Sequence, residues 1–322
     1  MTYNPPYTIT SKILNLIDKI SSEITKLEIS NQNIITPKLR KTNQIKTIAS
    51  SLQIEGNTLD EEKITAILDG KRVMATFKEI AEVNGAIKAY ENIDKFDYKS
   101  IDDFLLAHKY MMNEVLNNAG NFRNSNVGVI TSTGVSHLAP PPIQLPKLIN
   151  DLFNWLKKTD ENKLLISCIV HYEIEFIHPF SDGNGRIGRF WQNLILNSYN
   201  DIFRYIPIEE LIKKYQKEYY KALEISDTNG SSDYFNEFIL EIILESITNF
   251  ESNQKSSQKS NQKILELIKQ NNKITIDELS KITKLSTSGV KKIISKLKQE
   301  NKLIRIGKKG GYWKIKESNE TN

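Results

Sequence analysis

Apolar residues between positions 8 and 30 fall at Ile13, Leu14, Leu16, Ile17, Ile20, Ile24 and Leu27, mostly three or four apart. That spacing lines one face of a helix, which Thr8 or Ser11 is placed to start. The same period predicts helices over 38–54, 61–68 and 75–92, the last two divided by Asp69-Gly70. It continues over 101–116, 145–158, 163–177, 186–198, 209–225 and 233–248. Residues 121–146 break the pattern. Val127, Val129 and Ile130, a Thr131-Ser132-Thr133-Gly134 turn, then Val135 and Leu138 read as a hairpin closed off by Pro140-Pro141-Pro142. Residues 251–262, ESNQKSSQKSNQ, contain no apolar side chain and read as a flexible linker or a solvated helix extension. Beyond them come helices at 263–269, 276–282 and 286–300, then short strands at 303–306 and 312–315. The fold class is therefore mainly α, a helical body with one β-hairpin followed by a small tail domain. No internal repeat is present.

Composition adds three constraints. Hydrophobic content of 39% and charged content of 26% suit a globular chain, and no apolar run is long enough to span a membrane. The start, MTYNPPYTIT, lacks the basic and apolar regions of a signal peptide. The single cysteine, Cys168, lies among Ile166, Ile169 and Val170 and is expected to be a buried thiol, so a reducing cytoplasm is the expected location. Charge is uneven along the chain. Residues 262–322 hold 15 Lys and Arg against 6 Asp and Glu, while the rest holds 29 against 33. A basic tail on an acidic body is where nucleic acid is sought.

One segment concentrates chemistry. Residues 178–189 read HPFSDGNGRIGR. Pro179 disfavours helical geometry at His178 and ends the preceding helix there. An imidazole at such a junction suits a general base for a hydroxyl. Asp182 offers the hard oxygens that Mg²⁺ takes alongside phosphate oxygens. Gly183-Asn184-Gly185 allows successive amides to form an anion nest at the start of the next helix. Arg186 and Arg189, three apart, share a face and suit bidentate grip of phosphates. Other readings account for less. A dinucleotide fingerprint, G-x-G-x-x-G, needs a preceding strand, whereas 163–177 is patterned as a helix. A metal hydrolase built on His171, Glu175 and His178 lacks a zinc spacing. No P-loop is present.

The segment resembles the Fic motif, H-P-F-x-[DE]-G-N-G-R-x-x-R, with every defining position filled. Residues 121–123, the hairpin and the proline run resemble what precedes that motif in the family, and the likeness spans nearly all of 1–250. It implies transfer of AMP from ATP to a Tyr, Ser or Thr hydroxyl of a protein. By this resemblance His178 is the base and Asp182 holds Mg²⁺. Gly183, Asn184 and Gly185 cradle phosphates, and Arg186 and Arg189 orient the outer ones. The hairpin becomes a flap that pairs with the target. Tyr219 and Tyr220 resemble the region beside the nucleotide base, and Asp227 stands where relatives often carry another polar group.

A second motif, Ser51-Leu52-Gln53-Ile54-Glu55-Gly56, resembles the family's inhibitory helix, [ST]-x-x-x-E-[GN]. Ser51 and Glu55 share a helical face, and Gly56 lets the chain turn afterwards. The resemblance implies that Glu55 reaches Arg189 where the γ-phosphate docks, so that the chain inhibits itself. In some relatives this glutamate also supports removal of AMP, which keeps a reverse reaction open here. The tail resembles a winged helix-turn-helix, with Ser286, Thr287 and Ser288 capping a recognition helix that carries Lys291, Lys292, Lys296 and Lys298. DNA and protein partners both stay open for it, as do a homodimer and the chain as its own target. The expected organisation is an N-terminal helical region at 1–110 with the inhibitory helix, a catalytic domain at 111–250, a linker at 251–261 and the winged domain at 262–322. The competing class is a non-enzymatic DNA-binding regulator that senses ATP.

Overall fold

The computed structural model describes residues 3–30, 36–131, 134–307 and 310–316. The chain divides into two compact units, Met1–Thr248 and Asn249–Asn322. The first opens with α1 (Ser11–Ser30), α2 (Pro37–Ile54), α3 (Glu61–Leu68), α4 (Phe77–Glu91) and α5 (Ile101–Met112). The side chains that start them are short polar ones. Thr10 caps α1 by accepting from the Ile13 amide, in place of Thr8 or Ser11. Thr36, Asp60, Thr76 and Ser100 do the same for the next four helices, and Thr76 with Glu79 forms a capping box.

The hairpin β1 (Gly128–Thr131) and β2 (Gly134–Leu138) is antiparallel, with its register shifting between Val129 and Ile130. Then come α6 (Leu145–Lys158), α7 (Lys163–Ile177), α8 (Asn184–Tyr199), α9 (Ile208–Lys214), α10 (Gln216–Asn229) and α11 (Asp233–Gln270). The helix expected at 209–225 is in fact α9 and α10, divided at Tyr215, whose φ of −106° and ψ of 37° are not helical. Apolar period alone does not reveal such a break, because both halves bury the same stripe. The 251–262 segment lies within α11, the helix-extension form of the two readings.

The centre of this unit is the α7–α8 pair. Leu164, Leu165, Ile169 and Val170 on α7 are buried, as are Ile187, Phe190, Trp191 and Ile195 on α8. Trp191, Phe104, Phe153 and Phe180 meet with ring centroids 5.2–6.1 Å apart. Gly85 closes α4 against α5. A Cβ there would collide with the Met111 carbonyl, so no other residue fits. Cys168 is fully buried, and burial pushes its thiol up to about 12.

In the second unit, α12 (Ile276–Thr283) and α13 (Thr287–Gln299) precede antiparallel strands β3 (Leu303–Ile306) and β4 (Tyr312–Ile315). Lys284 takes the left-handed turn between the helices, with φ 59°, and Ser286 caps α13. Ile264, Ile268, Leu279, Val290, Leu297, Leu303 and Trp313 form its core. The Trp313 indole donates to the Ile274 carbonyl at 2.9 Å. This unit is a winged helix-turn-helix.

Candidate active site

Residues 178–183 form the turn between α7 and α8. His178 ends α7 in a left-handed conformation (φ 49°, ψ 59°), with its amide still bonded to the Ile174 carbonyl at 3.0 Å. A non-glycine residue held there costs on the order of 1 kcal/mol, so its surroundings must fix it. Arg123 does so. It is buried, and its Nε donates to the His178 carbonyl at 2.7 Å while Nη2 donates to the Pro140 carbonyl at 2.6 Å. The same guanidinium thereby ties the base of the hairpin to the histidine's backbone. On the ring, Nδ1 donates to the Glu175 carbonyl at 3.3 Å. In the neutral ring that places the lone pair on Nε2, the arrangement a proton acceptor needs.

The loop after it is clamped from both sides. Asn184 Oδ1 accepts from the Phe180 amide and Nδ2 donates to the Phe180 carbonyl, each at 2.9 Å. The Asn184 side chain thus holds the loop, which leaves its backbone amide for the expected nest. The amides of Asn184, Gly185 and Arg186 open α8, where helix geometry supplies them no acceptor. His108 stacks on Phe180 with centroids 3.6 Å apart, accepts from the Gly120 amide at Nδ1 and donates from Nε2 to the Asp182 carbonyl at 3.0 Å. Burial lowers this histidine to about 4, keeping it neutral. Asp182 is partly exposed, and Oδ1 accepts from the Gly183 amide at 2.6 Å and from Arg186 Nη2 at 2.9 Å. It also borders a cleft of about 370 Å³ with Phe77, Lys78, Glu114, Val115 and Leu116.

Neither arginine stands open. Arg189 is 1% exposed and donates from Nε to Ser51 Oγ at 3.1 Å, and from Nη2 to the Ser51 carbonyl at 3.0 Å and Glu55 Oε1 at 2.7 Å. Burial works against its charge, but Glu55 first, then Tyr219 and Glu175, hold its affinity for the proton above the ordinary range. Gly185 makes the approach of Glu55 possible, since a Cβ there would meet Glu55 Oε1 and Arg189 Nη1. Gly56 follows α2 with φ 90°, so the chain turns away at once. Arg186, also buried, donates to Glu82 on α4 as well as to Asp182.

Behind Arg189 lies a buried polar chain. Tyr219 donates to Glu175 Oε1 at 3.1 Å and lies 3.0 Å from His171 Nε2, while His171 Nδ1 meets Gln192 Oε1 at 2.9 Å. Burial and the neighbouring Glu55 charge raise Glu175 to about 7, and burial drives His171 down to about 3. Tyr219 is 1% exposed, with its ring against Phe235. Its job is to satisfy Glu175. Tyr220 is half-exposed, with its hydroxyl 3.5 Å from the Ile54 carbonyl at the end of α2. Asp227 accepts from the Tyr172 hydroxyl at 2.9 Å. Glu82 and His108 were not singled out by sequence reasoning, Arg123 entered only through the segment before the motif, and Glu175 only through the metal-hydrolase reading that was set aside. Their only signal was polar identity on otherwise apolar helices, or a place beside the hairpin.

Taken together, the site is a helix N-terminus with a base at its entrance, one carboxylate and two ion-paired arginines. This is the construction of a phosphate-handling centre on a helical scaffold. Residues 98–196 match the Fic/DOC family, and residues 258–304 match winged helix-turn-helix DNA-binding domains. A Fic family protein from Desulfovibrio desulfuricans G20 superposes with a TM-score of 0.77 and 33% identity, covering 99% of this chain and 100% of that one. The chain belongs to the Fic family. Protein adenylyltransferase Fic of Aedes aegypti is 30% identical over 212 residues, 62% of this chain and 40% of that protein. Protein adenylyltransferase fic-1 of Caenorhabditis elegans is 29% identical over 233 residues, 68% and 43% respectively. The chain thus spans about two fifths of the length of these curated relatives.

Proposed function

We propose that this protein transfers AMP from ATP to a tyrosine, serine or threonine hydroxyl of a target protein, and that Glu55 restrains it. The observation that carries this reading is the seating of Glu55 and Ser51 on Arg189 beside a complete and rigidly held 178–189 segment. In the transfer, His178 Nε2 takes the hydroxyl proton, the hydroxyl oxygen bonds to the α-phosphorus, and the α–β phosphoanhydride bond breaks to release diphosphate. The amides that open α8 receive negative charge on the phosphate oxygens. Arg123 keeps the base and the hairpin, against which the target chain pairs, in one register.

Among the described residues no group of three or more potential metal ligands exists. One partly exposed carboxylate, Asp182, nevertheless suits Mg²⁺, which is commonly held by one or two carboxylates with substrate phosphates and water. When bound there it would neutralise phosphate charge. Arg189 is the natural partner of the outermost phosphate, and Glu55 occupies it by an ion pair whose arginine is buried and whose carboxylate is partly exposed. ATP and Glu55 then compete for one guanidinium.

The test is incubation with α-labelled and γ-labelled ATP for wild type, E55G and H178A. Label from the α position is expected on protein, rising on the order of tenfold or more in E55G. It should fall by roughly a hundredfold or more in E55G/H178A. Label from the γ position, or ATP binding by E55G with no transfer at all, would refute the reading.

A further inference from the structure

Arg186 and Arg189 are three residues apart, yet their counter-charges come from different helices. Arg189 is met by α2, whereas Arg186 is met by α4, where Glu82 Oε1 accepts from Nη1 at 3.0 Å. The ion pair is nearly dry, with side-chain exposures of 4% for Arg186 and 10% for Glu82. Glu82 Oε2 accepts from Asn57 Nδ2 at 2.9 Å. Asn57 stands two residues after Glu55 and is itself buried. Its Oδ1 accepts from the Leu59 amide at 3.0 Å, and its own amide donates to the Leu52 carbonyl at 3.1 Å. A single carboxylate thus joins a motif arginine to the chain directly beyond the helix that carries Glu55. Lys78 also approaches Glu82, at 3.9 Å, but is too exposed to substitute for either partner.

The geometry points to Glu82 as a positioning residue for Arg186, with Asn57 tying it to the end of α2. The inference rests on the nucleotide-transfer reading. Arg186 divides its fork between two acids, Nη1 to Glu82 and Nη2 to Asp182. Nε is buried and has no partner among the described residues. Held from both sides, the guanidinium has its plane fixed and N–H donors still unspent, which is the state that binds a phosphate oxygen without further ordering cost. Without Glu82, its remaining charged partner is Asp182. The arginine then swings onto the carboxylate that the substrate side of the site needs. Asn57 fixes the rotamer of Glu82, so the same short stretch, 55–57, governs both arginines.

The test uses the full chain in the E55G background, so that the Arg189 side is open. Calorimetric titration with Mg²⁺ and the non-hydrolysable ATP analogue AMP-PNP reads binding, and α-label kinetics read turnover. E82Q is expected to raise Kd for the analogue and KM for ATP about tenfold, with kcat within about twofold. N57A should shift both in the same direction by roughly threefold. If E82Q lowers kcat and the thermal midpoint with Kd and KM unchanged, Glu82 is merely structural and the inference is overturned. Should E82Q not fold, E82D keeps the charge on a shorter arm and must raise KM roughly threefold. A parental KM in E82D overturns the inference in that case. E55G that fails to bind AMP-PNP removes the nucleotide-transfer reading itself. E55G that binds it while E82Q changes nothing removes this inference alone.

Discussion

The two basic regions of the molecule use positive charge in opposite ways. At the start of α8, two arginines are almost fully buried, and each is matched to a carboxylate more than 100 residues away. On α13, Lys291 and Lys292 stand exposed, and Lys296 lies 4.0 Å from Glu300. A buried guanidinium is costly unless every donor has a target, so burial makes its position and its partner specific. Exposed lysines are screened and interchangeable, which suits a polyanion met in many registers. The excess of basic over acidic residues, which lies in the tail, therefore marks a surface, whereas the two motif arginines are few and dry.

The strongest challenge to this contrast is to remove one member of each kind. In the E55G background, R189A is expected to abolish most α-label transfer, by a hundredfold or more, and R189K to recover little of it because lysine cannot make the forked contacts. A loss below about fivefold would place Arg189 among the interchangeable charges. A smaller effect concerns the buried acid behind it. Glu175 is raised to about 7 in the folded chain, so its ionisation opposes folding as pH rises from its ordinary value near 4.5 through 7. Glutamine at this position carries no such penalty. The thermal midpoint of E175Q relative to wild type should accordingly be more favourable at pH 8 than at pH 5, and an equal difference at both would show that Glu175 ionises freely. The smallest effect belongs to the tail. K291A/K292A should weaken duplex DNA binding only several-fold and reduce the slope of log affinity against log salt by about 2. Unchanged slope would remove these lysines from any phosphate contact.

Much of this architecture is legible in the residues. The periodic stripes place most helices within a few positions, and the turn chemistry of Asp69-Gly70 divides elements where they divide, while the centre of the expected 131–134 turn lies outside the described residues. The expectation that Ser51 and Glu55 share a face is matched by their joint hold on Arg189. What was illegible has a common physical cause. That the side-chain amide of Asn184 holds the Phe180 backbone is not written in the motif. That Tyr219 donates to the buried Glu175 is likewise invisible in the sequence, since the two lie 44 residues apart. Glu82 carries no mark in a one-dimensional pattern, since its partner Arg186 lies 104 residues on. Periodicity reports which face is dry, while partners across the core are fixed by packing that only three dimensions contain.

The pairing of Glu55 with Arg189 is a contact within one chain, closed across 134 residues by helices of the same compact unit. Forming it requires no second molecule. Dilution cannot release it and crowding cannot strengthen it much, in contrast to an inhibitor that arrives from solution. The pair opens only when something favours the unpaired form by more free energy than the contact supplies. Under the proposed restraint, the set point is written in the geometry of α2 and Gly185.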